Sequence, residues 1–401
     1  MNAECYEAKP TDESGGPMNR QYRWRLLEYR HQEHSPAYAL YHWADEPDLR
    51  RTLRDATGLE SELAQIPTAW GQIVRLMDWV HHLFPHQGRD EAPDLSGLAL
   101  LRAARDGAVT FRCVEFAHML QHVLAAFAFP ARVVALRRPA ADDGLGKGHV
   151  VVDVWSGDHA KWVVLDPQLN LYYTARDGAV LSAWEIHDRV RTGQFQDLQM
   201  SRATDIRQDY TPMEARDSVD YETMEIHEGF DRDEVWRSLP DHGDVDSFIR
   251  FWEEYYYQLV FRRSYSLHRP KSTMQREARR NLFYHDAAVL PPIVFQRMAQ
   301  AVTFTTDRSK IAVPVNGVEV QWIPAVSADT SLDAMRQIEV TLHHSMPWFD
   351  HYVVTMNAEH WTTRDAVLPL SLRSGENTIS VRPVNDYGRS GEQAVVRLWV
   401  N

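Results

Sequence analysis

The sequence predicts an α+β protein, with helices packed on an antiparallel sheet in its first half and a β-sandwich at its C-terminal end. Three observations carry this. Apolar residues at helical spacing cluster before Pro130, and strand-like runs follow directly after it. The last stretch, of about one hundred residues, runs as short β-rich segments between turn signals. Helices come first and strands second, without the strand–helix–strand alternation of a parallel sheet.

Taken in order, residues 1–19 are rich in Pro, Gly, Ser and charge and read as a disordered tail ahead of a core over 20–200. Ile73, Leu76, Met77, Val80 and Leu83 share one helical face, which predicts a helix over 68–84, and Leu98, Leu101 and Arg102 suggest a second over 97–105. Phe116, Leu120, Leu124 and Phe127 line a third. It starts near Arg112 and stops before Pro130, because proline cannot continue a helix and biases its predecessor to extended backbone. Arg132–Leu136 is a short β-branched run. His149–Trp155 reads as a strand with His149, Val151, Asp153 and Trp155 on one face, and Lys161–Asp166 as a second, stopped by Pro167. Ser156, Gly157 and Asp158 supply the turn between them.

A charged connector is expected over 201–300. Residues 201–246 carry 14 acidic and 5 basic residues, whereas 262–280 carry 7 basic residues and a single acidic one, Glu277. These read as solvated segments that neutralise each other within the molecule. Between them Ile249, Trp252, Tyr256 and Leu259 recur at helical spacing after a cap at Asp246 or Ser247, which predicts a bridging helix. The sandwich is expected over 301–401, with strands at Val318–Ile323, Gln337–Leu342, Tyr352–Met356, Thr378–Val381 and Ala394–Val400. Asn316-Gly317, Ser374-Gly375-Glu376-Asn377 and Tyr387-Gly388 punctuate it.

Composition narrows the function. Hydrophobic residues make up 44% of 401 and charged residues 25%, an ordinary balance for a chain with a sizeable core. The net charge of −13 argues against nucleic acid as the partner, since a phosphate-binding surface needs a basic excess. No apolar run is long enough for a transmembrane helix, and the polar N-terminus lacks the apolar stretch of a signal peptide. Two cysteines, Cys5 and Cys113, make no disulfide framework. A cytoplasmic protein without a membrane partner is expected.

Cys5 lies in the tail, so Cys113 is the thiol of interest. It stands at the N-terminal end of the third helix, where the helix dipole and free backbone N–H groups stabilise a thiolate. His149 opens one strand and Asp166 ends the next. If the two strands pair, the histidine can lie between thiol and carboxylate: a nucleophile, a base, and a group that orients the base. The alternative is a buried cysteine serving as a small hydrophobe, with His149 satisfied in the core.

At these residues the chain resembles the transglutaminase-like superfamily. The segment FRCVEFAHMLQHVLAAFAFPARVVAL is similar to that family's nucleophile segment, GHVVVDVW to its histidine strand and KWVVLDPQ to its aspartate strand. The likeness covers about residues 70–175 and is loose beyond them. It implies a papain-like core, a catalytic triad of Cys113, His149 and Asp166, and acyl transfer through a thioester. Many members have a glycine just before the cysteine, where this chain has Phe111-Arg112. Arg112 either favours the thiolate or points to solvent. The oxyanion would use the Cys113 N–H and a second donor, for which the Trp70 indole is a candidate; its other reading is a core aromatic. Asp153 could compete with Asp166 for the histidine, although a solvent-facing role is expected. Arg132 is expected to hold the fold by hydrogen bonding.

Other constellations carry less. Glu115, His118 and His122 share one face of the Cys113 helix, and His81, His82 and His86 form a second cluster, but no His-Glu-x-x-His appears, and no metal or other cofactor is expected. Gly144-Leu145-Gly146-Lys147-Gly148 precedes a strand and lacks the Lys-Ser/Thr of a phosphate loop, so it reads as a loop or lid before His149. The acidic run has no calcium-loop pattern. In the C-terminal part, His343, His344, His351 and His360 lie near Trp348 and Trp361, a set explained by core packing or by an exposed aromatic strip. The segment GENTISVRPVNDYG resembles the last strands of immunoglobulin or fibronectin type III-like modules, which implies a spacer or binder. The expected activity is thiol-dependent cleavage or formation of an amide or ester bond. The expected partners are a peptide or protein acyl donor and, where water is excluded, an amine acceptor. A non-catalytic protein-binding scaffold on the same core is the alternative.

Overall fold

The helix over Cys113–Ala126 is the element around which the core is built. From Glu115 to Ala126 every side chain is buried, as expected of a helix that is apolar almost all round. It packs on the helices Pro47–Thr57, Ala69–Leu83 and Gly97–Asp106 and on the strands Ala131–Arg137 and Gly148–Ser156. It stops where Phe127 leaves helical backbone, three residues before Pro130, and Ala128 turns through φ +57°. The computed structural model describes residues 24–83, 92, 94–107, 111–137, 148–194, 198–203, 256, 258–262, 264–265, 281–284, 303–324 and 336–400.

The chain divides into two units, one over residues 39–313 and one made of residues 1–38 with 314–401. In the first, an eight-stranded sheet runs in the order Thr303–Thr305, Asn281–Tyr284, Gln258–Arg262, Ala131–Arg137, Gly148–Ser156, Lys161–Asp166, Leu171–Ala175, Leu198–Arg202. All neighbours are antiparallel except the first two strands. Val151, Val164, Leu171 and Tyr173 form one apolar cluster with Ala183, Ile186 and Val190 of the helix Ala183–Arg191. That helix is capped by Ser182, whose hydroxyl accepts from the Glu185 N–H while Glu185 accepts from Ser182.

Mixed helices and antiparallel strands with a β-rich C-terminal region agree with the expected fold class. The helices fall at Ala69–Leu83, Gly97–Asp106 and Cys113–Ala126, and the strands at Ala131–Arg137, Gly148–Ser156 and Lys161–Asp166, within one or two residues of the expected ends. Two placements differ. The bridging helix expected around Ile249–Leu259 lies partly outside the described residues, and its described end is the strand Gln258–Arg262. There Leu259, Val260 and Phe261 are buried between two strand neighbours, so sheet pairing overrides the helical spacing. Trp24–Arg30, expected in the core, pairs with Ala394–Val400 in the C-terminal sheet. The expected tail over 1–19 and most of the charged connector lie outside the described residues.

The second unit is a β-sandwich. Its five-stranded sheet runs Trp24–Arg30, Ala394–Val400, Gly375–Asn385, Phe349–Met356, Glu359–Thr363, and its three-stranded sheet runs Val318–Pro324, Gln337–His344, Val367–Ser371. Alternate residues of both sheets, among them Val320, Val340, Leu368, Val354, Val381 and Leu398, meet in one core. Trp361 packs against that core and His344 stacks on Phe349 at 4.0 Å, so packing accounts for these two members of the aromatic and histidine set. Glycine at 375 follows from its φ of +91° at the start of the long strand.

A buried ion pair ties the first unit together. Arg132 and Asp153, opposite each other on paired strands, are both fully buried, with Nη2 to Oδ2 at 3.0 Å. The guanidinium lies over the rings of Trp162 and Phe261 at 4.1 and 4.4 Å, and its other end donates to the Tyr41 hydroxyl. Asp153 Oδ1 accepts from the Ala183 N–H at 3.2 Å. Asp153 is therefore not solvent-facing. Arg132 does hold the fold by hydrogen bonding. Removing one member of such a pair strands a buried charge, which costs about 3–5 kcal/mol. Asp153→Ala is expected to lower the unfolding free energy of the core by about that amount in a urea titration, and an Arg132→Met/Asp153→Leu double variant by less.

Candidate active site

The three chemistry-bearing residues reach one place by local rules. Cys113 is the first residue of its helix, and Arg112 before it is extended, at φ −102° and ψ 178°. The cap is acidic: Glu115, wholly buried, accepts from the Arg112 N–H at 3.2 Å and from the Ala92 N–H at 3.2 Å. Its carboxylate also takes the Arg112 guanidinium at 3.3 Å. Arg112 therefore neither points freely to solvent nor serves the thiol alone. The Cys113 side chain itself is half-buried.

Strand register brings the other two together. Val152 stands opposite Leu165 in the ladder. One step along, Val151 and Asp166 share the other face, and His149 shares it one pleat further on. His149 Nε2 lies 2.6 Å from Asp166 Oδ2, with both residues buried. Asp166 Oδ1 accepts from the Leu169 N–H at 3.2 Å, so both carboxylate oxygens are engaged. The Cys113 side chain is close enough to the same imidazole to help raise its pKa. The histidine thus lies between thiol and carboxylate.

The electrostatics follow from burial and charge. Burial alone would push the His149 imidazole down, but the Asp166 carboxylate and then the Cys113 sulfur outweigh it and hold the pKa well above its ordinary value. An imidazolium between two acidic groups is the proton donor that acyl transfer requires.

The remaining sequence candidates separate from this centre. Trp70 lies at the start of the Ala69–Leu83 helix, half-buried against Tyr172 and His159. His81, eleven residues on, touches Pro167 next to Asp166. Half-buried, Trp70 is not a deep core aromatic. His118 Nδ1 binds the Val114 carbonyl, and its Nε2 meets the Arg262 guanidinium. His81 is buried, His82 turns back to the Asp78 carbonyl at 2.8 Å, and His86 lies outside the described residues, as does most of the loop Gly144–Gly148. Among the described residues no three of His, Cys, Asp and Glu are placed to hold a metal ion.

Three polar residues beside the site escaped the sequence reading in this role. Asp78 and His81 sit on the Ala69–Leu83 helix, and Asn170 follows Asp166 by four residues. The signal available was a pair of polar residues three apart on the buried stripe of Ile73, Leu76, Met77 and Val80. No local rule says what they face.

Comparison with known proteins finds a family match over the same stretch of chain. Residues 57–167 match the model of the transglutaminase-like superfamily, a span that contains Cys113, His149 and Asp166. This part of the chain is therefore a transglutaminase-like core, and members of that superfamily are generally cysteine enzymes. No curated protein matches the sequence. Among solved structures, one similar protein is "a Putative Cysteine Protease from Cytophaga hutchinsonii", at 14% identity over 36% of this chain. The match spans 49% of that protein, about half its length, and its TM-score of 0.22 is too low to bear on fold or function. No helix among the described residues is long and apolar enough to cross a membrane.

The raised pKa of His149 sets a pH dependence with a definite sign. A group whose pKa folding raises contributes stability that is fully present below its unfolded value, about 6.5 for histidine, and lost as pH rises through the folded value. Asp166 supplies most of that rise. The melting-temperature gap between wild type and Asp166→Asn is expected to be widest near pH 6 and to narrow in alkaline buffer. A gap that widens with pH would contradict the pairing.

Proposed function

We propose that this protein is a thiol-dependent acyl-transfer enzyme in which Cys113 is the nucleophile, His149 the acid and base, and Asp166 the group that orients the histidine. The observation that carries it is the buried imidazole between the Cys113 side chain and the Asp166 carboxylate. The transglutaminase-like match over residues 57–167 supports the same class of chemistry.

With Nε2 engaged by Asp166, Nδ1 is the nitrogen left for the thiol, so the imidazole can pass a proton only on the sulfur side. Cys113 Sγ attacks the carbonyl carbon of an amide or ester, and the electron pair of the C=O moves to oxygen. The Cys113 N–H, in the first turn of its helix, is a donor for that oxyanion. The intermediate collapses, the C–N or C–O bond breaks, and His149 gives its proton to the leaving amine or alcohol. A thioester remains. Water or an amine then attacks it, His149 takes the proton of the incoming nucleophile, and the thiolate leaves as acid or new amide is released. The substrate class is a peptide or protein acyl donor, with the acceptor decided by how well the cleft excludes water. The work is assigned to the cytoplasm, and the C-terminal sandwich is read as an immunoglobulin-like spacer or binder.

An activated ester such as p-nitrophenyl acetate tests this directly, with turnover followed by absorbance and the acyl-enzyme by intact mass. Wild type is expected to carry one acyl group on Cys113. Cys113→Ala is expected to lose turnover and adduct while its stability stays within about 1–2 kcal/mol. Turnover that survives in Cys113→Ala would refute the triad. A Cys113 that never acylates would instead favour a non-catalytic scaffold.

A further inference from the structure

The two strands that flank the turn after Asp166 are each well paired on their outer sides, with Gly148–Ser156 and with Leu198–Arg202, but little with each other. Lys161–Asp166 and Leu171–Ala175 pair at Leu165 with Tyr172 and at Asp166 with Leu171. The carboxylate therefore sits at the mouth of a turn over residues 167–170, where few ladder bonds fix the backbone. Yet the distance from its Oδ2 to His149 is 2.6 Å, which leaves no slack.

The turn is fastened from outside, by the helix Ala69–Leu83. His81 Nδ1 is 3.2 Å from the Pro167 carbonyl, which can only accept, so this nitrogen donates. Asn170 Nδ2 donates to Asp78 Oδ1 at 2.9 Å. The two bonds grip the first and last residues of the turn. Asp78 is held in its turn by Arg75, whose Nη1 lies 3.0 Å from Oδ2 and whose Nε meets Glu62. Asn170 has φ +53°, a left-handed backbone that asparagine tolerates better than most residues. Between the two grips, the Leu169 N–H binds Asp166 Oδ1. A displaced turn would rotate the carboxylate and withdraw Oδ2 from the imidazole. Burial with the neighbouring His82 charge pushes His81 down to about 4, so it stays neutral near pH 7 while it donates to Pro167.

We infer that Asp78, His81 and Asn170 are positioning residues for the catalytic histidine: through the turn over 167–170 they fix the Asp166 carboxylate on His149. This rests on the reading of Cys113, His149 and Asp166 as the catalytic set. It adds a row of polar groups, from Glu62 through Arg75, Asp78 and Asn170, that ends at the acid of that set.

The test is the pH profile of iodoacetamide labelling at Cys113 in the full chain, read by mass spectrometry, with Asp166→Asn and His149→Ala as references. Asn170→Gly deletes the amide at a backbone angle glycine accepts. It is expected to unfold cooperatively, to label about tenfold more slowly near pH 6, and to shift its profile toward that of Asp166→Asn. The Asp78→Asn/Asn170→Asp double variant reverses donor and acceptor and is expected to recover most of the loss. A merely structural role would lower stability without moving the profile. If both references shift the profile and a folded Asn170→Gly does not, the positioning role is overturned and the triad stands. If neither reference shifts it, the triad reading fails and the positioning role falls with it. Should Asn170→Gly not fold, His81→Leu removes the other grip at similar volume, and a wild-type profile there overturns the inference equally.

Discussion

A buried imidazole in contact with a buried carboxylate is the constraint on which this core depends. Burial penalises each charge, and only their contact makes the site tolerable. At His149 and Asp166 that contact is 2.6 Å long and almost wholly removed from water. It requires the strands Gly148–Ser156 and Lys161–Asp166 to pair in one register, because a slip of one residue would send His149 to the opposite face. It also requires the turn after Asp166 to stay where it is. The sheet order, the packing of the Cys113–Ala126 helix and the contacts of the Ala69–Leu83 helix all bear on those two conditions.

Much of this could be read from the residues. The Cys113 helix has an apolar run between an extended Arg112 and a proline that must end it, so start and stop are both local. The strand Lys161–Asp166 is fixed as sharply, by its turn on one side and Pro167 on the other. Once these elements are drawn, period-two alternation sets His149 and Asp166 on one face. What stayed hidden depended on distant pairing. Trp24–Arg30 lies in a sheet with Ala394–Val400, at the far end of the chain, and nothing within seven residues specifies that partner. Leu259, the last residue of an expected helical spacing, lies instead in the strand Gln258–Arg262 between two flanking strands.

The polar interior was the least legible part. Asp153 alternates with His149 along its strand, and the pattern alone allows it to face solvent or to compete for the imidazole. The residue opposite settles the matter: Arg132 takes Asp153 as its partner and leaves His149 to Asp166. Two buried acids within three positions of each strand's end can thus serve different bases without exchange. The sorting is done by which cation each one meets across the ladder.

The same logic explains why so many polar groups are buried around one hairpin. Apolar packing is non-directional and tolerates small shifts, so a core of valines and leucines would hold this sheet together without fixing an oxygen atom to a few tenths of an ångström. Hydrogen bonds between buried groups are directional, and a half-satisfied network costs more than an apolar one. Asn170 with Asp78, Leu169 with Asp166, and Asp166 with His149 form such a directional series. A side-chain constellation that must hold its geometry through a reaction gains more from that directionality than from added burial. The hydrophobic core decides that the chain folds, and the polar series decides where one carboxylate oxygen points.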